Sequence, residues 1–493
     1  MALDSLRRHA AWPRLVGRLR DPLDLDRPSW GKTLLVGAVV LSLAVLLGLA
    51  TAAIGNGFDD RPLFLLAVPL LVVIGVALAV NPQGLLVGLV LSRAILNPLF
   101  AETRLAGLGG LGGVLNLTVI ALALTLLVRA RIQVPRTALT TWLPFLALAV
   151  LGLLHAPDLV PAFRTVAAWS TYAAVFLCAF YCVKDEADLD RMLKWLLLSS
   201  VPVLAYSILG YLTGNLSHQL QSEEGTRGRL AGPLGHPNVL AFYLVIIVAA
   251  WLARSRVRPA GPALTPANIG WGLHLLVVLG VLAGTQTRGA WAGVLLLFLL
   301  YGLFVRRIYL LYIGLALVGA LAMPGVGDRL AELGSNNEVY TYSRLNSLAW
   351  RQYIWESGIA WMSAPSYLWG NGIDAFKVKS VEFFPLANGT RWGAHNVFVQ
   401  VFFDLGAVGV LLFIGLFARP VIALWRSGLD RNVRLMLVAL VGAYLFGCFS
   451  DNMMDYLVVN WNLWFLLGLA CALASRSPVT AGPQARDLET VRR

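Results

Sequence analysis

Charge is scarce in this sequence. Only 13% of its 493 residues are charged and 58% are hydrophobic, where a soluble domain carries about a quarter charged residues. So little charge leaves too little polar surface to face water, which excludes an ordinary soluble globule. Cysteine is scarce as well. Cys178, Cys182, Cys448 and Cys471 all lie inside apolar runs, so no disulfide framework is indicated. Cys178 and Cys182 are one helical turn apart, but no His or carboxylate joins them at metal-ligand spacing, and they read as small packing residues. There is no internal repeat and no low-complexity tract. No cleavable leader is evident: the first thirty or so residues are polar and Arg-rich, and the first apolar run is long enough to span a bilayer.

What the chain has instead is long apolar runs. A spanning helix needs about 20 apolar residues. Spans are expected near 33–54, 62–80, 84–100, 112–128, 139–154, 162–182, 192–213, 236–253, 270–286, 288–304, 308–323, 396–418, 435–450 and 456–474. The fold class is therefore an all-α polytopic membrane protein. The organisation is a cytoplasmic segment 1–32, transmembrane helices over 33–323, a large outer loop 324–395, C-terminal transmembrane helices 396–474 and a disordered cytoplasmic tail 475–493.

The net charge of +13 does not indicate nucleic acid, because the basic residues are spread between apolar runs and not gathered on one face. Membrane topology accounts for them. With the N-terminus inside, alternate loops hold Arg129, Arg131 and Arg136, then Lys184, Arg191 and Lys194. Arg254, Arg256 and Arg258 follow, then Arg306 and Arg307, then Arg419, Arg426, Arg431 and Arg434. The short opposite loops hold only Arg61, Arg104 and Arg164. This is the positive-inside pattern. Of the outer segments, 324–395 is far longer than a typical connection and 343–362 within it reads as an aromatic-rich helix, with Arg344 and Arg351 on one face.

Ionisable residues are almost absent from the spans, which disfavours an ion-coupled carrier. The main exception is Arg93, which either snorkels outward or holds an anionic lipid head group. Polar residues collect instead at outer helix ends. The stretch 229–238 (RLAGPLGHPN) forces a turn, in which Asn238 or His236 can cap the next helix, while Arg229 has no such local role. The stretch 285–290 (TQTRGA) ends one span and starts the next, with a tight hairpin and a snorkelling Arg288 as the competing explanation. Ser343-Arg344, the turn 370–376 (GNGIDAF), His395-Asn396 at a helix start, and 451–455 (DNMMD) complete the set. For His395 and for the 451–455 stretch with Asp451, helix capping is the competing explanation.

In order along the chain, these stretches resemble the O-antigen ligase and polymerase superfamily of membrane glycosyltransferases. The resemblance rests on Arg229, Gly232, His236, Pro237 and Asn238; on Thr285, Thr287, Arg288 and Gly289; on Ser343 to Leu345; on Gly370, Gly372 and Phe376; and on His395, Asn396, Gly406 and Gly409. It covers roughly 190–475, and the first third fits by hydropathy only, with more spans than such ligases usually have. The resemblance implies a GT-C-like fold in the bacterial cytoplasmic membrane with its site on the periplasmic face. It also implies transfer of a glycan from undecaprenyl diphosphate to an acceptor hydroxyl, inverting the anomeric centre, with no cofactor or metal. The partners it implies are the lipid-linked donor, a glycolipid or glycan acceptor and membrane lipids.

The residue types suit that chemistry. A diphosphate leaving group needs fixed positive charge where negative charge develops, and arginine supplies it in planar, multidentate form. His395 is the candidate base, with Arg288 and Arg344 as catalytic arginines. Arg229, His236, Asn238, Asn396, Arg351, Asp451 and Arg93 are the candidate substrate contacts. Glycan transfer to a lipid A-core acceptor, as in a ligase, is the favoured expectation. A polymerase with the same chemistry, and a polysaccharide transporter or flippase, are the alternatives.

Overall fold

The computed structural model describes residues 81–98, 111–129, 134, 136–213, 229–257, 265–321 and 347–476. These residues are helical, with no strand among them. The chain is an all-α polytopic membrane protein. The expected spans 33–54 and 62–80 lie outside the described residues.

Two compact units divide the chain. The first comprises residues 1–89 and 99–133. Its described part holds most of α1 (Pro82–Ser92) and all of α2 (Leu111–Arg129). The expected single span over 84–100 is not one helix: α1 ends at Ser92, and a turn follows before a second helical stretch opens at Asn97. Arg93, immediately after α1, is where the apolar run breaks.

The second unit, residues 90–98 and 134–493, carries the remaining elements. They are α3 (Arg136–Gly152), α4 (Leu159–Ala179), α5 (Glu186–Thr213), α6 (Pro237–Val257), α7 (Pro266–Gly284), α8 (Arg288–Phe304) and α9 (Ile308–Leu321). Three shorter helices follow: α10 (Ser347–Trp361), α11 (Ser366–Trp369) and α12 (Ala375–Phe383). The chain then returns through α13 (Val397–Trp425), α14 (Arg431–Ser450) and α15 (Leu457–Arg476). Among the described residues eight helices are long and apolar enough to cross a membrane: α3 with the turn after it, α4 to α7, and α13 to α15.

The core of this unit is α15. Its residues from Val458 to Ala474 are all buried, so it is apolar all round, as a helix enclosed by other helices should be. It packs against α4, α6 and α13. Trp464 stacks edge-on to Trp142 at 4.6 Å and lies 5.1 Å from Phe417, which ties α3 and α13 to it. Outward-facing leucines such as Leu143, Leu151 and Leu276 suit lipid. At one end α5 and α6 are joined by the Arg254–Asp190 ion pair at 3.0 Å, with Arg254 over Trp271.

The described half of the long loop is not coil. Phe376, Phe383, Phe384, Ile354 and Met362 form a small core with Phe403 of α13. A clasp holds this cap to the bundle. Asn371 and Gly372 donate backbone N–H bonds of 2.9 Å to the carbonyls of Phe403 and Asp404, where α13 is kinked at Gly406. Gly406 has φ of 69°, and a Cβ there would run into the Leu368 carbonyl; a Cβ on Gly370, with φ of 79°, would run into that of Asp404. The Gly-x-Gly of the sequence is thus a close backbone approach.

Candidate functional site

Four separate segments meet at the start of α6, the α7–α8 hairpin, the start of α13 and the turn after α14. Arg229 donates from Nε to the Thr285 carbonyl (2.9 Å), and from Nη2 to Asn238 Oδ1 (2.7 Å) and Thr287 Oγ1 (3.0 Å). Asn238 in turn donates from Nδ2 to Asp451 Oδ2 at 2.5 Å. Asp451 Oδ1 lies 3.3 Å from His395 Nδ1. One chain of polar contacts therefore runs from Arg229 through Asn238 and Asp451 to His395.

The turn that carries Asp451 is built from below. Tyr172 donates to the Met454 carbonyl at 2.8 Å, and Asn460 Nδ2 donates to the Met453 carbonyl at 2.7 Å while accepting from Tyr444 at 2.7 Å. These buried bonds fix a segment with no regular structure beyond one 3-10 turn, and they explain why polar side chains sit in the middle of apolar helices.

Burial alone would raise the Asp451 carboxyl. The hydrogen bond and charge of His395, the Tyr456 hydroxyl and the charge of Arg351 outweigh that and hold it well below the usual carboxylate range. The Asp451 side chain is 3% exposed, while His395 keeps 31% of its side chain open. A buried carboxylate thus backs an imidazole that can reach solvent and ligand. Asp455, in the same turn, is an exposed residue; desolvation of its carboxyl, with the charges of Asp374 and Asp451, pushes it up to about 7 against the opposing charges of Lys377 and His395. Burial and the charge of Asp451 also raise the Tyr456 phenol, so it stays protonated.

The other candidates fall into place differently. His236, not Asn238, serves the start of α6: its Nδ1 accepts from the Asn238 backbone N–H at 3.2 Å. Asn396 is the N-cap of α13, its Oδ1 accepting from Phe398 N (2.9 Å) and Val399 N (3.2 Å), so its amide oxygen is committed to the helix. Arg288 opens α8 one residue after Thr287, a member of the network. Arg351, in α10, is half-buried and acts on Asp451 by charge. Arg344 and the rest of 343–346 lie outside the described residues.

Arg93 does not snorkel outward. It is 6% exposed, with its guanidinium 5.3 Å from the centre of the Trp461 ring. A ring face in a dry interior attracts a cation, and this offsets part of the cost of burying it. Asn97 beside it donates to the Pro233 carbonyl at 3.3 Å, in the turn just before α6.

Several residues of the site were not singled out from sequence. Asp404, 2% exposed, is a buried acidic residue inside the span α13. Gln400 and Asn452 hold the His395 segment: Gln400 Oε1 accepts from Ala394 N at 3.1 Å, and Asn452 Oδ1 accepts from Asn396 N at 3.1 Å. The readable cue for Asp404 was an acid directly before a Leu-Gly kink in an otherwise apolar run.

No curated protein matches the sequence significantly. Residues 273–414 match the family model described as O-antigen ligase. That stretch includes Thr287, Arg288, His395 and the clasp on α13, while Arg229, Asn238 and Asp451 flank it. The match over residues 273–414 supports a relationship to the O-antigen ligase and polymerase superfamily.

Proposed function

We propose that the chain transfers a glycan from undecaprenyl diphosphate to an acceptor hydroxyl, on the outer face of the bacterial cytoplasmic membrane. The acceptor in this reading is a glycolipid core, as for an O-antigen ligase. The single observation that carries it is the His395–Asp451 pair at 3.3 Å, linked through Asn238 to Arg229, whose partner Thr287 directly precedes Arg288. The positive-inside pattern puts that end outside, with 324–395 external and 1–32 and 475–493 internal.

With its Nδ1 proton facing Asp451, His395 presents Nε2 to the acceptor. Nε2 takes the hydroxyl proton as the oxygen attacks the anomeric carbon. The bond from that carbon to the phosphate oxygen breaks, and the leaving group departs as undecaprenyl diphosphate. Direct displacement inverts the anomeric centre. Asp451 keeps the ring oriented and balances the imidazolium, the same division of labour as in a carboxylate–histidine pair of a hydrolase. Arg288 and Arg344 stabilise the negative charge that develops on the diphosphate. Arg229 supports them at second remove, since its Nε and one Nη2 are engaged by Thr285, Thr287 and Asn238.

The test is purified full-length protein in lipid nanodiscs, with a labelled undecaprenyl-diphosphate-linked glycan and two acceptors, a lipid A-core glycolipid and a free glycan repeat. Label on the glycolipid supports the ligase reading. Label on the glycan repeat replaces it with polymerase, and translocation of the donor without transfer replaces both with a flippase.

A further inference from the structure

His395 has a backbone φ of 48°, in the left-handed region that residues with a Cβ rarely adopt. Such a conformation persists where its surroundings over-determine it. The residues on either side of His395 are held by three side chains from three elements. Trp355 of α10 donates from Nε1 to the Ala394 carbonyl at 2.5 Å. Asn452 accepts from the N–H of Asn396 at 3.1 Å. Gln400 accepts from the N–H of Ala394 at 3.1 Å.

Gln400 differs from the other two in where its second end goes. Its Nε2 donates at 2.9 Å to Oδ2 of the buried Asp404. Asp404 also accepts from Phe376 N at 2.8 Å and Asp374 N at 3.2 Å, both at the start of α12. The Gly370–Gly372 clasp closes on the same residues of α13. Gln400 lies four residues after Asn396 and four before Asp404, on one face of α13. It is not needed to cap the helix, because Asn396 already does that. Its position asks for one acceptor and one donor on a single planar group, which a carboxamide supplies without taking up a proton.

We infer that Gln400 is a positioning residue for His395: its side chain couples the strained backbone that presents the imidazole to the buried Asp404 anchor beneath the outer cap. This rests on the reading of His395 as the base. The step it serves is sensitive to placement, since a displacement of about 1 Å in a catalytic group can cost on the order of a hundredfold in rate.

The test uses the full-length chain in nanodiscs, with undecaprenyl-diphosphate-linked glycan and lipid A-core glycolipid, reading acceptor-dependent release of undecaprenyl diphosphate. Gln400→Ala is expected to lower kcat by about ten- to a hundredfold while the donor KM stays within about twofold. Gln400→Glu keeps the acceptor for Ala394 but sets a second carboxylate against Asp404, so it is expected to be equally poor. The Gln400→Glu/Asp404→Asn pair restores a donor facing an acceptor with the polarity reversed but loses the Asp374 N–H bond to Oδ2, and is expected to recover part of the lost kcat. A role in stability alone would lower yield or melting temperature and leave the kcat of the folded enzyme unchanged. Wild-type kcat in folded Gln400→Ala overturns the inference, as does a folded double variant no better than Gln400→Glu. If Gln400→Ala fails to fold, the double variant decides. His395→Ala in the same assay separates the two layers: if it transfers normally, the base reading falls; if it is inactive while Gln400→Ala is normal, only the role of Gln400 falls.

Discussion

Replacing Asp451 by asparagine removes one charge and nearly nothing in volume, so its effect can be worked from the contacts. Oδ2 accepts from Asn238 Nδ2 at 2.5 Å, and Oδ1 faces His395 Nδ1 at 3.3 Å and accepts from Asn452 N at 2.9 Å. Every partner is a donor in this arrangement. An amide nitrogen must therefore point at another donor whichever way it is placed. A hydrogen bond to a charged group contributes about 1.5–3 kcal/mol, which at about 1.4 kcal/mol per factor of ten is a fall in kcat of roughly 10- to 150-fold. The partial exposure of His395 favours the lower half of that range, because solvent screens the pair. The assay is undecaprenyl diphosphate release at saturating donor and acceptor, with a melting curve on the same sample. The paired variant Asn238→Asp/Asp451→Asn restores a carboxylate–amide bond between those two side chains but leaves His395 without its carboxylate. It should recover melting temperature without recovering kcat. A folded Asp451→Asn enzyme with kcat within about twofold of the wild type would refute the reasoning, since the range above starts near tenfold.

Three further outcomes follow from the same contacts. Arg229→Lys keeps the charge but cannot make the three bonds to Thr285, Thr287 and Asn238, so melting temperature and transfer should both fall, read on the purified protein. Gly406→Ala forces a Cβ into the Leu368 carbonyl at a left-handed position and should lower stability by at least about 2 kcal/mol, seen as lost yield or a depressed melting temperature in detergent. Asp455→Asn should melt higher than the wild type at pH 8, with the gap closing as pH falls. A carboxyl raised to about 7 in the fold gives a stability contribution that is complete below its unfolded value and is lost as pH rises through 7, and asparagine removes that dependence.

Much of the fold is legible in the sequence because the bilayer allows few solutions. Apolar runs of spanning length become helices, and α4, α6 and α15 begin and end close to where hydropathy puts them. Hydropathy is blind to local breaks, and so the run over 84–100 reads as one span although α1 stops at Ser92. The site is partly legible for a different reason. Polar residues with no local task at one end of the helices, such as Arg229, are costly unless they meet partners, and Arg229, Asn238, Asp451 and His395 do meet. Pairings across long separations carry no sequence signal: Asn452 bonds the backbone of Asn396 from 56 positions away. Gln400 and Asp404 were hidden by the strongly apolar run of α13, whose neighbouring side chains outweigh two polar ones. Their four-residue spacing becomes meaningful only once the loop is seen to close onto that face.

The most direct test of His395 as the base is acceptor-dependent glycan transfer by His395→Ala, purified at normal yield and supplied with saturating undecaprenyl-diphosphate-linked glycan and lipid A-core glycolipid. Transfer reduced to background with donor binding intact is the expected result. Undiminished transfer would contradict it.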